Sequence, residues 1–167
     1  MGIMSGAAVK AVEDAAVTFP SVEWFARLAQ LMNENRARQE QLGYVDCVAE
    51  FVVTDAESTT GRWAVQVVFE EFEVLEVVET TADNADRVDF SLEASVDTWG
   101  EMIDNIAAHG GRPDLEHSLN YLSHLGAPIK LVADDPLCSD LYFRYNQSLQ
   151  EFVNASVAFT TTYCRAG

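Results

Sequence analysis

The stretch Val88-Asp-Phe-Ser-Leu-Glu-Ala-Ser-Val-Asp-Thr-Trp99 contains a change of hydrophobic period. As far as Ala94, apolar and polar residues alternate, which is typical of a strand with one buried face. Beyond it, Ser95 or Asp97 can cap a helix whose apolar stripe begins at Trp99 and continues to Ile106. The stretch therefore predicts a strand that passes directly into an amphipathic helix.

Similar strand-like alternation precedes this stretch. Segments 45–53, 63–69 and 72–80 alternate apolar with mostly polar residues, and polar turns lie at 55–61 and 81–86. Together with the strand at 88–94, they predict four strands in a meander. The acidic run Glu70, Glu71, Glu73, Glu76 and Glu79 is predicted to form a solvated sheet face rather than a calcium site, because calcium loops place their carboxylates around a glycine turn.

Helix signals lie on both sides of these strands. Thr18 and Ser21 carry hydroxyls at possible cap positions, and the apolar spacing after Ser21 predicts a first helix that continues or restarts to residue 42 and stops at Gly43. A short helix is predicted over 115–125, and a fifth strand over 128–132. Asp134-Asp135-Pro136 places an acidic cap before a proline at the first helical position, which predicts a long last helix. This order of elements predicts an α+β fold.

The composition indicates a single domain. A chain of 167 residues, 49% of them hydrophobic, can form one sizeable core. We expect this domain at 18–160, with a mobile N-terminal tail at 1–17 and a C-terminal tail at 161–167. The apolar runs are far shorter than the roughly 20 residues of a membrane-spanning helix. With no export signal evident, the three widely spaced cysteines predict free thiols and a cytoplasmic protein.

The strongly acidic balance bears on the partners. A formal charge of −17 disfavours nucleic acid and anionic membrane surfaces, because both are bound mainly through Lys and Arg. His109, His117 and His124 lack the three- or four-residue spacing of paired metal ligands on a helix. The sequence also contains no phosphate-binding glycine loop or dinucleotide fingerprint. We therefore predict no metal and no cofactor.

Three further stretches, one before and two after the strand-to-helix junction at 88–99, carry a family resemblance together with it. Phe19-Pro-Ser-Val-Glu-Trp24 opens the first predicted helix, 119–126 lies in the third, and 129–132 lies in the fifth strand. With the junction at 88–99, they resemble the sterol carrier proteins, or non-specific lipid-transfer proteins, over residues 18–157. In place of the glycine expected before the third strand of that family, this chain has Glu70-Glu71.

The resemblance implies both a fold and a function. It implies a five-stranded, mostly antiparallel sheet covered by about four to five helices. It also implies an apolar tunnel for a sterol, a fatty acid or an acyl chain, and no chemistry of its own. The favoured function is non-enzymatic binding or carrying of an apolar small molecule.

The candidate binding region lies mainly on two predicted helices. Both carry large apolar side chains with a few hydroxyl groups, as small-molecule pockets commonly do. Tyr121, Tyr142, Tyr145 and Asn146 are candidates for orienting a polar head of the ligand. We expect the ligand to contact Trp99, Met102, Ile103, Ile106, Leu122, Leu141, Tyr142, Tyr145, Leu149 and Phe152.

Two other functions stay open on the sequence alone. One is a small α+β enzyme of the isomerase or cyclase type, with His117 or His124 and Asp134 or Asp140 as acid and base. The other is a protein-interaction module in which the helix over 142–152 packs against a second copy or a partner. A homodimer is an expected state of such a module.

Overall fold

The computed structural model describes residues 16–56, 61–124 and 128–164. Most of the expected N-terminal tail, the end of the expected C-terminal tail and residue 125 of the predicted third helix lie outside the described residues. The described strands are β1 (Val17–Phe19), β2 (Val45–Val53), β3 (Trp63–Glu71), β4 (Glu73–Glu79), β5 (Phe90–Ala94), β6 (Lys130–Val132) and β7 (Thr161–Tyr163). The described α-helices are α1 (Val22–Glu34), α2 (Arg36–Leu42), α3 (Val96–Ala108), α4 (Leu119–Leu122) and α5 (Pro136–Asn154).

The main sheet has five strands in the order β4-β3-β2-β5-β6. Three of its four pairs are antiparallel, and the β2–β5 pair is parallel. The α+β fold with a five-stranded, mostly antiparallel sheet is thereby confirmed.

The expected meander is wrong at its last strand. β5 does not lie beside β4 but pairs with β2, where Ala49 lies opposite Phe90. The connection at 80–89 returns across the sheet face that is turned away from the core. It is held there by the Gln66 side chain, whose amide donates to the carbonyl of Asn84 at 2.8 Å. Alternation along a strand does not specify which strand will be its neighbour, so this crossing was not visible in the pattern.

Three long helices begin at the caps that the sequence predicts. The hydroxyl of Ser21 accepts from Trp24 N, and the hydroxyl of Ser95 accepts from Thr98 N. Asp135 caps α5 by accepting from Leu137 N, with proline in the first helical turn. Within the described residues, no helix is long and apolar enough to cross a membrane.

The helix predicted over 115–125 is wrong in length. Residues Leu115–His117 form a 3-10 turn, and α4 is a single turn that follows it. Ser118 separates the two because its backbone is extended, with ψ of 154°, and its hydroxyl caps the nitrogen of Tyr121. Cap hydrogen bonds therefore start a new element in the middle of the apolar spacing.

The first and last described strands, β1 and β7, form a separate two-stranded parallel sheet. β1 and β7 pair in register, with Val17 opposite Thr161. The indole nitrogen of Trp24 donates to Thr161 Oγ1 at 3.0 Å and fixes the pair to α1. Val17 and residues 161–163, which the sequence pattern assigns to tails, are thus part of ordered strands. Their pairing is non-local, and three-residue strands leave no clear periodicity to detect.

One apolar core lies between the main sheet and the helices. Phe51 of β2 is near Phe25 of α1, with ring centroids 5.2 Å apart, and near Phe152 of α5, at 5.9 Å. Phe69 of β3 meets the same Phe152 ring edge-on at 5.4 Å. All four rings are buried, so α1 and α5 are held to the same face of the sheet.

The β3–β4 hairpin forms although glutamates occupy its turn. Glu71 has φ of 58°, in the left-handed region that favours glycine. The next residue, Phe72, contacts the Tyr44 ring at 6.2 Å between centroids, and the guanidinium carbon of Arg36 lies 5.4 Å from the Phe72 centroid. These contacts hold the turn in place where a glycine would adopt the same φ without strain.

Candidate functional site

The α3 side of the candidate region is buried. Trp99, Met102, Ile103 and Ile106 are all buried in the core. The Trp99 indole nitrogen donates to the carbonyl of Val52 at 2.9 Å, which fixes this side chain against β2. The helix therefore presents the predicted apolar stripe to the sheet.

The α5 side of the candidate region meets the same core. Tyr142, Tyr145, Leu149 and Phe152 are buried, and Leu141 is partly buried against them. Leu122 of α4 is also buried in this core. The structure thus brings all the candidate ligand-contact residues to one apolar region, which we call the α3–α5 cluster. In this structure they contact protein side chains, and contact with a ligand stays a prediction.

A polar contact lies at the α4 end of this cluster. The Tyr142 hydroxyl is 2.6 Å from Ser123 Oγ and donates to the carbonyl of Leu119 at 3.1 Å. Burial raises the pKa of Tyr142, and polar contacts with the side chains of Ser123 and Asn146 oppose that rise. The phenol is therefore neutral at physiological pH. Of the other candidates for a polar handle, Tyr121 is half exposed, and Asn146 lies beside the Tyr142 side chain and also borders a separate surface.

That surface is a groove of about 560 Å³ between α2, the 112–118 segment and α5. We call it the amide groove, because Asn and Gln side chains from α2, α4 and α5 make up six of its fourteen lining residues. The Arg38 guanidinium is neutralised there by Glu151 of α5 at 2.8 Å. The Nδ2 atom of Asn146 is buried without a hydrogen-bond partner among the described residues. The lining residues are Arg38, Gln41, Leu42, Arg112, Pro113, Asp114, Leu115, Ser118, Asn120, Asn146, Gln147, Gln150, Glu151 and Asn154.

The amide groove was not predicted as a site, although one signal for it exists. Asn146, Gln150 and Asn154 recur every four residues on α5, beside the apolar stripe that faces the core. The groove also needs α2 and the 112–118 segment, which the sequence places far from α5. Only the fold brings these walls together.

Two smaller cavities lie near the β1–β7 pair. One, of about 410 Å³, lies between α3 and residues 156–161. The other, of about 350 Å³, lies between α1 and β1, and Phe159 borders both. Of the α3–α5 cluster residues, Ile103 reaches the first of these cavities.

The histidine–carboxylate contact in the structure is not the one considered from the sequence. His117 Nδ1 lies 2.6 Å from Asp114 Oδ1, whereas Asp135, next to Asp134, serves as the cap of α5. Hydrogen bonds from His117 and Asn105 lower the pKa of Asp114. Asp114 also accepts from the nitrogen of His117, so its position is explained by capping of the 3-10 turn. No cluster of three or more metal-ligating side chains occurs in the described ranges.

The surface of α5 is only partly available to a partner. Its Tyr142-to-Phe152 stripe faces the protein's own sheet, so an interaction module would have to use other residues. Leu137 and Phe143 are the large exposed apolar side chains of this helix. A homodimer stays a prediction, which light scattering after size exclusion would test.

Comparison with known proteins identifies the fold. The sequence matches no protein-family model and, at a significant level, no curated protein sequence. The crystal structure of sterol carrier protein 2 aligns with a TM-score of 0.55 and 16% identity, over 81% of this chain and 94% of that chain. The solution structure of a conserved hypothetical protein from Thermus thermophilus, described as possibly a sterol carrier protein, aligns with a TM-score of 0.55 and 16% identity, over 83% and 87%. This chain thus has a sterol-carrier-protein-like fold, as the sequence resemblance implies.

Proposed function

We propose that this protein binds and carries an apolar small molecule without transforming it. The observation that carries the proposal is the fold shared with sterol carrier protein 2 over 81% of the chain. The name of that neighbour describes the carrying of a sterol, and a sterol, a fatty acid or an acyl chain is the class that we propose here.

The proposed contact region is the α3–α5 cluster. Its side chains are large and mostly apolar, and all but Leu122 of α4 come from α3 and α5. Separating α3 from α5 would therefore open apolar surface on both sides of a ligand. Burial of a ligand there contributes about 25 cal/mol for each Å² of apolar surface removed from water. The Tyr142 and Ser123 hydroxyls are 2.6 Å apart, and in this proposal a polar end of the ligand replaces the hydrogen bond between them.

The test begins with native mass spectrometry of the purified full chain, followed by organic extraction. We expect one apolar molecule per chain. A fluorescent fatty acid and a fluorescent sterol are then titrated against the emptied protein, and we expect saturable binding of at least one. A protein that contains no lipid and binds neither probe would overturn the proposal.

Two matched variants locate the site. Tyr142→Phe removes the buried hydroxyl, and we expect it to weaken binding of the probe with a polar end by about five- to tenfold. Tyr121→Phe removes a half-exposed hydroxyl of α4, and we expect no change. Equal affinities for the two variants would place the polar end of the ligand elsewhere.

A further inference from the structure

The cavity between α3 and the segment after α5 has the features of a second site. We call it the Asp104 pocket. Its volume is about 410 Å³, within the size range of small-molecule sites. Its walls are Ile103, Asp104, Ala107, Ser156, Val157, Ala158, Phe159, Thr160 and Thr161.

Ser156 is the first feature of this pocket that points to a ligand. Ser156 is only 3% exposed, and its Oγ atom has no hydrogen-bond partner among the described residues. A buried hydroxyl without a partner costs about 1–3 kcal/mol. Ser156 lines the pocket, and its Oγ atom is closed to solvent in this structure. A molecule inside the pocket can therefore supply the missing hydrogen bond once the Ser156 side chain turns toward it.

Asp104 is the second feature. Its Oδ1 atom accepts from the Tyr163 hydroxyl at 2.7 Å, which fixes the carboxylate beside the pocket. Among the described residues, no Lys, Arg or His forms an ion pair with it. A carboxylate that is oriented but not neutralised favours a cation, and the protein's charge of −17 attracts cations from a distance.

The helix end beside the pocket adds to this preference. α5 ends at Asn154, and the 3-10 turn Ala155–Ala158 continues it to the pocket wall. The last carbonyls of a helix lack partners within the helix and carry the negative end of its dipole. The opposite wall is apolar, because Ile103 and Phe159 are buried side chains and Ala107 is small.

We propose that the Asp104 pocket binds a primary alkylammonium ion. The ammonium group donates hydrogen bonds to the Asp104 carboxylate and to Ser156 Oγ, and the alkyl group lies against Ile103, Ala107 and Phe159. This site goes beyond the proposed carrying of an apolar molecule, and either can hold without the other.

The experiment is a calorimetric titration of the full chain with three ligands of equal length: hexylammonium, hexanol and hexanoate. We expect hexylammonium to bind, at least about tenfold more tightly than hexanol, because a charge-assisted hydrogen bond is the main difference between them. The affinity should fall with added salt. Equal binding of hexylammonium and hexanol, or no binding of hexylammonium at a concentration of about 10 mM, would overturn the proposal.

Two charge-matched variants separate local contact from overall charge. Asp104→Asn should weaken hexylammonium binding by about tenfold. Glu101→Gln removes one negative charge from an exposed position of the same helix outside the pocket. It should change the affinity by less than about twofold. Equal losses in both variants would mean that only the general field attracts the ion.

Ser156→Ala completes the test. We expect weaker hexylammonium binding with an unchanged or higher melting temperature, because the variant removes an unpartnered buried hydroxyl. An unchanged affinity would contradict the role of Ser156. Lipid binding, measured in the same variants, should stay as in the unmodified chain.

Discussion

The side-chain amide of Asn33 forms two hydrogen bonds with the main chain of Val74. Asn33 Nδ2 donates to the carbonyl of Val74 at 2.9 Å, and the nitrogen of Val74 donates to Asn33 Oδ1 at 2.8 Å. β4 is an edge strand of the main sheet, so α1 supplies at this point the partner that a further strand would supply. The ladder between β3 and β4 also changes register next to Val74.

We expect Asn33→Ala to lower the free energy of unfolding by about 1–2 kcal/mol, because both main-chain groups of Val74 lose a partner. Urea denaturation measures the change. The control is Gln30→Ala, which removes an exposed hydrogen bond of the same helix to Glu34. The Asn33 variant should also self-associate more readily, because unpaired edge groups invite another strand. Equal stability of both variants would contradict the role of Asn33.

We expect Glu71→Gly to raise the free energy of unfolding by about 0.5–1 kcal/mol. Glu71 has φ of 58°, which glycine adopts without the strain felt by other residues. The matched control is Glu70→Gly in the adjacent strand position, which should destabilise because glycine is unfavourable within a strand. Chemical denaturation measures the free energy of unfolding of each variant, which should rise for Glu71→Gly and fall for Glu70→Gly. A destabilised Glu71→Gly variant would mean that the glutamate side chain contributes more than the strain costs.

The buried carboxylate of Glu50 gives a third expectation. Glu50 is 7% exposed and accepts from the hydroxyls of Ser91 and Thr80, each at 2.7 Å. We expect Ser91→Ala to lower the free energy of unfolding by about 1.5–3 kcal/mol, since a buried carboxylate then loses a hydrogen bond. Ser139→Ala, which removes an exposed bond to the Pro136 carbonyl, is the control. Thermal unfolding that shows similar losses in both would contradict this role.

The lowered pKa of Asp114 leads to a pH dependence. A carboxylate whose pKa is lower in the folded than in the unfolded chain stabilises the fold when the pH is above its ordinary pKa of 3.8. That contribution is lost as the pH falls through the lower, folded value. We expect Asp114→Asn to show a shallower loss of stability than the unmodified chain between about pH 4 and pH 2. Parallel acid-unfolding slopes would show that other carboxylates control this range.

The sequence predicted where the three long helices begin, because capping depends on nearby residues. Ser21, Ser95 and Asp135 each cap a helix at the predicted place. The neighbour of β5 was not predictable in this way, since it depends on contacts between distant residues such as Gln66 and Asn84. Hydrogen bonds of this kind decide where a connection crosses, and they leave no trace in the hydrophobic period.

The candidate site was predictable only in part for a similar reason. The spacing that marks Trp99 and Tyr142 as apolar positions is the same for a core as for a ligand pocket. The pattern therefore predicts that these residues are buried together, but it does not tell whether they contact other side chains or a ligand. The Asp104 pocket could not be predicted, because the burial of the Ser156 hydroxyl depends on how residues 155–161 pack against α3.

The register of the β1–β7 pair makes the chain suitable for circular permutation. Val17 lies opposite Thr161 and Phe19 opposite Tyr163, so residues 17 and 163 are separated by roughly 8 Å. A short linker joining these points would keep every strand neighbour in place, with new termini opened in the 80–89 connection. In such a permutant β5 would be the first strand of the chain and would precede β2, yet their parallel pairing would need no change in direction.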